Sequence, residues 1–61
     1  MKVRDVLSAL RRDGWVQVRV RGSHRHFQHP IKPGTVTVAG KPGAEVPPGT
    51  LKSIMKQAGL K

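Results

Sequence analysis

Three histidines and two of the arginines nearest to them lie within the nine residues Arg21-Gly22-Ser23-His24-Arg25-His26-Phe27-Gln28-His29, and the rest of the chain contains no other histidine. Imidazole is the side chain whose ordinary titration falls near neutral pH, so such a cluster can hold a metal, bind phosphate or move protons. Zinc chemistry asks for a third or fourth ligand beside His24 and His26, and the sequence offers only His29 and three scattered carboxylates, Asp5, Asp13 and Glu45. A two-metal nuclease requires clustered carboxylates, which this composition lacks. Ser23 and His24 are adjacent, so they do not form a nucleophile with a base reaching it across space. The segment Gly40–Gly49 lacks the glycine-lysine-hydroxyl ending of a phosphate loop. The reading therefore calls for no metal and no cofactor. Two chemistries stay open: acid–base cleavage of RNA through its 2′-hydroxyl, and passive binding of phosphates by an exposed basic surface.

The charge balance names the partner class. Twelve Lys and Arg against three acidic residues give a formal charge of +9 on 61 residues, which predicts a polyanion and most naturally nucleic acid. An acidic protein partner and a DNA-binding role are the alternatives. The absence of cysteine excludes disulfides and thiolate chemistry. No apolar run is long enough for a membrane span, and the N-terminus reads as a charged helix, so a cytoplasmic protein without membrane partners is expected.

The elements that must position these residues follow from hydrophobic period. Val3, Val6, Leu7 and Leu10 mark an amphipathic helix from about Lys2 to Asp13, with Gly14 as its left-handed cap. In Val16–Arg21 the valines Val16, Val18 and Val20 alternate with polar residues, the pattern of a strand buried on one face. Gly22-Ser23 fits a two-residue hairpin turn. That turn pairs Arg21 with His24, Arg19 with His26, Gln17 with Gln28, and Val18 with Phe27, the last as an apolar pair. Thr35–Ala39 supplies a third strand with Val36 and Val38 inward, and the Gly/Pro-rich segment after it is a loop. Pro48 opens a second helix with Leu51, Ile54, Met55 and Ala58 on its apolar stripe and Gly59-Leu60 as its cap. The expectation is a single α+β domain over residues 1–61, α-β-β-β-α, with a three-stranded antiparallel sheet covered by two helices on one face. The other face, carrying Arg19, Arg21, His24 and His26, is open to solvent. Trp15 is either a core-edge residue or a base-stacking one, and Phe27 belongs to the core. Arg4, Arg11, Arg12, Lys52 and Lys56 are helix-surface cations that can be solvated faces or phosphate tracks.

Three stretches, "DGWVQVRVRGSHRHFQHP" (13–30), "GTVTV" (34–38) and "PPGTLKSIMKQAGL" (47–60), resemble the HicA toxin family of HicA–HicB toxin–antitoxin pairs. The most specific parts are Gly22-Ser23-His24 with Phe27, and Gly49-Thr50-Leu51 with Ile54. The resemblance implies a fold like that of double-stranded-RNA-binding domains and a messenger-RNA interferase that inhibits translation and growth. It also implies a HicB-like antitoxin partner, and it places the catalytic role on His24. Arg19, Arg21, Ser23, Arg25, His26 and Lys41 are then the residues expected to hold RNA. Many family members carry a proline after the third strand and a histidine two residues later. This chain has Ala39-Gly40-Lys41 there, so Lys41 stands where that histidine would act. A basic RNA-binding module without catalysis is the alternative.

Overall fold

The helix expected from the first apolar stripe forms as α1, Val3–Arg12, and buries Val3, Val6, Leu7 and Leu10. A computed structural model of the chain describes residues 1–60. At the start of α1 the Asp5 carboxylate accepts the Lys2 N–H at 3.0 Å. The next orphan donors, Val3 and Arg4 N–H, reach the carbonyls of Ala44 and Pro42 at 2.9 and 3.1 Å. The loop after the sheet thus caps the helix where no side chain does. Arg11 and Arg12 in the last turn suit the negative end of the helix dipole. The helix stops in a Schellman motif: Gly14, at φ +101°, donates to Arg11 O and Trp15 donates to Leu10 O.

The second helix, α2, spans Pro48–Gln57 and ends the same way. Gly59, at φ +68°, donates to Lys56 O and Leu60 to Met55 O. Its Ile54 and the following Ala58 are buried, while Leu51 and Met55 are half-buried at its edge.

Between the helices run β1 (Val16–Arg21), β2 (His24–Gln28) and β3 (Thr35–Ala39), antiparallel in the order β1-β2-β3. Gly22 takes φ +59° while Ser23 does not have a positive φ, the signature of a type II′ turn with glycine first. Both helices cover one face, where their stripes meet Phe27, Val36, Val38, Trp15 and Val46 in one core. The α-β-β-β-α architecture and its open face are those the sequence predicts.

Strand β1 departs from expectation. Arg21 pairs with His24 and Arg19 with His26 as predicted, but Gln17 then pairs with Phe27 and Val16 with Gln28. The expected pairs Gln17–Gln28 and Val18–Phe27 do not form, because Val18 is the extra residue of a β-bulge. Nor do the three valines enter the core: Val16, Val18 and Val20 are 59, 53 and 54% exposed. The physical reason is reach. The apolar stripes of the helices meet side chains of β2 and β3, and β1 extends past them as an exposed edge. Its valines satisfy the backbone preference of a strand without being required by a core. Opposed residues share a face, so Val20 faces the helical side beside Arg25, and Val16 the open side beside Gln28.

Candidate functional site

The open face is built from alternate residues of three strands. His24 and His26 of β2 stand between Arg21 and Arg19 of β1 and Ala39 and Thr37 of β3. His24 is exposed at the head of β2, directly after the turn, and its ring has no hydrogen-bond partner among the described residues. A free ring beside a rigid turn can approach a substrate without first breaking a protein contact. His26 lies two residues along the same face, roughly 7 Å away at the rise of an extended strand. It is half-buried, and its Nδ1 is 2.9 Å from Thr37 Oγ1, which holds the ring plane and leaves Nε2 free.

The turn is tied to the far strand. Gly40 N–H donates to Ser23 O at 3.1 Å, and Arg25 Nη1 donates to Gly40 O at 2.9 Å. Gly40 has φ +107°, and a Cβ there would meet Val3 Cγ2 at 3.4 Å, so the chain leaves β3 in a conformation and a space that favour glycine. The result is that exposed Lys41 sits next to the Ser23–His24 turn. Arg25, grouped with the RNA-holding residues by sequence, lies on the helical face and spends its guanidinium on Gly40 O. The register sets Arg19, Arg21, His24 and His26 on the open face, with Ser23 in the turn and Lys41 directly after the Gly40 that is bonded to it, while Arg25 lies on the opposite face.

The electrostatics of this face come from what it lacks. Asp5 is engaged at the start of α1, Glu45 pairs with the Met1 amine at 3.2 Å, and Asp13 pairs with Lys32. Those are all the acidic residues of the chain. None neutralises Arg19 or Arg21, so the open face keeps its positive charge. Among the described residues, no group of three or more His, Cys, Asp or Glu side chains gathers as a metal site.

His29 has a different fate. Its Nδ1 accepts the N–H groups of Ile31 and Lys32, both at 3.0 Å. Nε2 must then carry the proton, which it donates to Asp13 O at 2.7 Å. The ring is buried edge-on to Trp15, with centroids 5.2 Å apart. Beside it Lys32 Nζ bridges the Asp13 carboxylate and Ala58 O, joining the ends of both helices. That hydrogen bond with Lys32, aided by its charge, holds the Asp13 carboxyl below the usual carboxylate range. Trp15 is buried and gives its indole N–H to Asp13 at 3.2 Å, so it offers no stacking surface. His29 and Trp15 form a latch at the end of the sheet opposite the His24 turn.

Sequence reasoning missed one feature. The bulge turns Val18 to the open side, where it lines a hollow with Arg19, His26, Gln28 and Thr35. The alternation of Thr35 and Thr37 with inward Val36 and Val38 places the threonines there, whereas nothing in the sequence marks the bulge.

The helix cations Arg4, Arg11, Arg12, Lys52 and Lys56 are exposed on the helices and take no part in this arrangement. No helix among the described residues is long and apolar enough to cross a membrane. A comparison with curated proteins returns no significant match. A family model described as HicA toxin of bacterial toxin–antitoxin matches residues 3–60.

Proposed function

The chain belongs to the HicA toxin family, which makes it the toxin of a toxin–antitoxin system with an antitoxin as its partner, and we propose that it acts as a ribonuclease whose acid–base group is His24. The substrate in this reading is messenger RNA, cut by transesterification, so that translation and growth stop until a HicB-like antitoxin covers the toxin. The 2′ oxygen attacks phosphorus, the bond to the 5′ oxygen breaks, and one proton leaves the 2′-hydroxyl while another joins the departing oxygen. His24 serves one of these transfers, which is work suited to imidazole near neutral pH. Arg21 across the hairpin and Lys41 beside the turn bind the phosphate and offset the charge that builds on its oxygens. Arg19, Ser23 and His26 hold the flanking backbone. No metal is required by any of these steps.

The observation that carries the reading is the placement of His24. Among the described residues it is an exposed, unpartnered imidazole at a turn tied to Gly40, on a cationic face from which the Asp and Glu side chains are diverted. The test compares RNA integrity in cells producing the parent and the His24→Ala protein. Fragmentation by the parent alone supports the proposal. Intact RNA with the parent, together with tight RNA binding in vitro, would instead make this a basic RNA-binding module.

A further inference from the structure

The open face is not flat beside His24. Where the bulge sets Val18 and Arg19 together opposite His26, a hollow of about 390 Å³ opens, lined by Val18, Arg19, His26, Gln28 and Thr35. We infer that this hollow is a nucleobase subsite that receives the base of the nucleotide next to the scissile phosphate. The inference rests on the ribonuclease reading, which it deepens by making the toxin selective for sequence.

A base is a flat ring with a polar edge, and each part finds its counterpart here. The ring face needs a planar or apolar surface. Trp15 and Phe27 are buried, so the open face can offer only imidazole, guanidinium and aliphatic groups. The hollow brings one of each together in His26, Arg19 and Val18. Stacking on such groups grips any base. The polar edge needs donors and acceptors in fixed places. The Gln28 amide supplies both, as does the Thr35 hydroxyl, and a side-chain amide can read a base by paired hydrogen bonds. The His26 ring is already held by Thr37, which lowers the ordering cost of binding.

Size and position agree. The hollow lies at the small end of the roughly 300–1,000 Å³ typical of ligand clefts, which suits one base. It runs along β2 from His26 to Gln28, and its near edge at His26 lies two residues from His24 on the same face, a step that one nucleotide spans. A phosphate at His24, Arg21 and Lys41 therefore leaves the neighbouring base over the hollow. A bulge beside a reactive residue, re-aiming an apolar side chain that regular pairing would turn away, is a recurrent use of this irregularity.

The test maps the ends of fragments produced from RNA of randomised sequence by the parent and by Gln28→Ala. Gln28 is exposed at the end of β2, and unchanged melting confirms that the variant folds. The parent should prefer one base at a position adjoining the cut, and Gln28→Ala should weaken that preference by about tenfold, the scale of one paired base contact. Absence of any preference in the parent, or a preference unaltered in Gln28→Ala, overturns the subsite. Binding separates this outcome from failure of the ribonuclease reading. Affinities of His24→Ala for four single-base oligoribonucleotides should differ, and the added Gln28→Ala change should level them. That result supports the subsite even if the parent cuts nothing; cleavage without base preference sinks the subsite and leaves the ribonuclease.

Discussion

Replacing each histidine in turn by alanine should give three different results, because the three rings have three different surroundings. His29→Ala removes the hydrogen bond to Asp13 O and the acceptor for the Ile31 and Lys32 N–H groups. It also strips an edge-on partner from Trp15. At ~0.5–1.5 kcal/mol net for each of three hydrogen bonds and a similar amount for the aromatic contact, the loss comes to about 2–6 kcal/mol. A chain of this length holds only about 3–9 kcal/mol in total, at 0.05–0.15 kcal/mol per residue. Near 8 °C per kcal/mol for so small a protein, the melting temperature should drop by roughly 15 °C at the least. His26→Ala gives up one exposed hydrogen bond to Thr37 and should cost less than about 1 kcal/mol. His24→Ala removes an exposed ring without partners and should stay within about 0.5 kcal/mol of the parent. Activity should run the other way. His24→Ala should cut single-turnover cleavage by roughly 10²–10⁴-fold, or about 3–5 kcal/mol of barrier, with RNA affinity far less affected. The assay is melting, RNA binding and single-turnover cleavage on all three variants at one pH and salt concentration. A folded His24→Ala protein cleaving at the parental rate would refute the mechanism. A His29→Ala protein as stable as the parent would refute the latch.

The remaining predictions concern the latch and the charge. Gly22→Ala places a side chain at positive φ in open space, whereas at Gly14 the added Cβ would also lie 2.9 Å from His29 Nε2. Gly22→Ala should cost about 1–2 kcal/mol, and Gly14→Ala about 1 kcal/mol more as the His29 bond is lost; equal melting temperatures would contradict the contact. The lowered Asp13 pKa, caused first by the Lys32 hydrogen bond, contributes stability above the ordinary carboxylate range that is lost as pH falls through the native value. Melting temperature should therefore fall on acidification below about pH 5, with a gentler slope in Lys32→Met, and parallel slopes would count against the pair. Affinity for single-stranded RNA should fall with salt at a log–log slope of about −2 to −3, taking ~0.7 per phosphate held by Arg19, Arg21, Lys41 and one further contact. Cleavage should at the same time survive EDTA; a flat salt response, or activity restored only by added metal, would oppose the phosphate-and-histidine reading.

The sequence revealed most where period and core coincide. Val3, Val6, Leu7 and Leu10 predict α1 because the same side chains must be buried, and Val36 and Val38 predict the inward face of β3 for the same reason. Alternation misled in β1, where Val16, Val18 and Val20 repeat at the strand period although no helix covers them. A period records which residues share a face; it does not say whether anything lies against that face. The bulge at Val18 breaks even that count, since one added residue re-aims the side chains before it. Arg25 shows the opposite limit. Its sequence position between two histidines suggests a common surface, but strand parity sends it to the helical face and onto Gly40 O.

Strand parity and carboxylate placement together explain how so short a chain separates stability from chemistry. Its few polar stabilising contacts are concentrated away from His24: Asp13 takes Lys32, Trp15 and, through its carbonyl, His29, while Asp5 and Glu45 serve the start of α1 and the N-terminus. A carboxylate on the open face would pair with Arg19 or Arg21 and weaken the field a phosphate meets. Diverting all three leaves that field intact, and its remaining cost, repulsion among cations, falls on exposed side chains where solvent and salt screen it. A bound polyanion removes that repulsion, so RNA or an acidic antitoxin surface should stabilise the fold as well as occupy it. Short RNA added to His24→Ala should raise its melting temperature, more at low salt than at high salt. The same RNA should do little for a protein carrying Arg19→Ala, Arg21→Ala and Lys41→Ala together, because the exposed cations of the helices lie on the side of the sheet away from His24. An undiminished rise in that triple variant would move the RNA-binding surface off the open face.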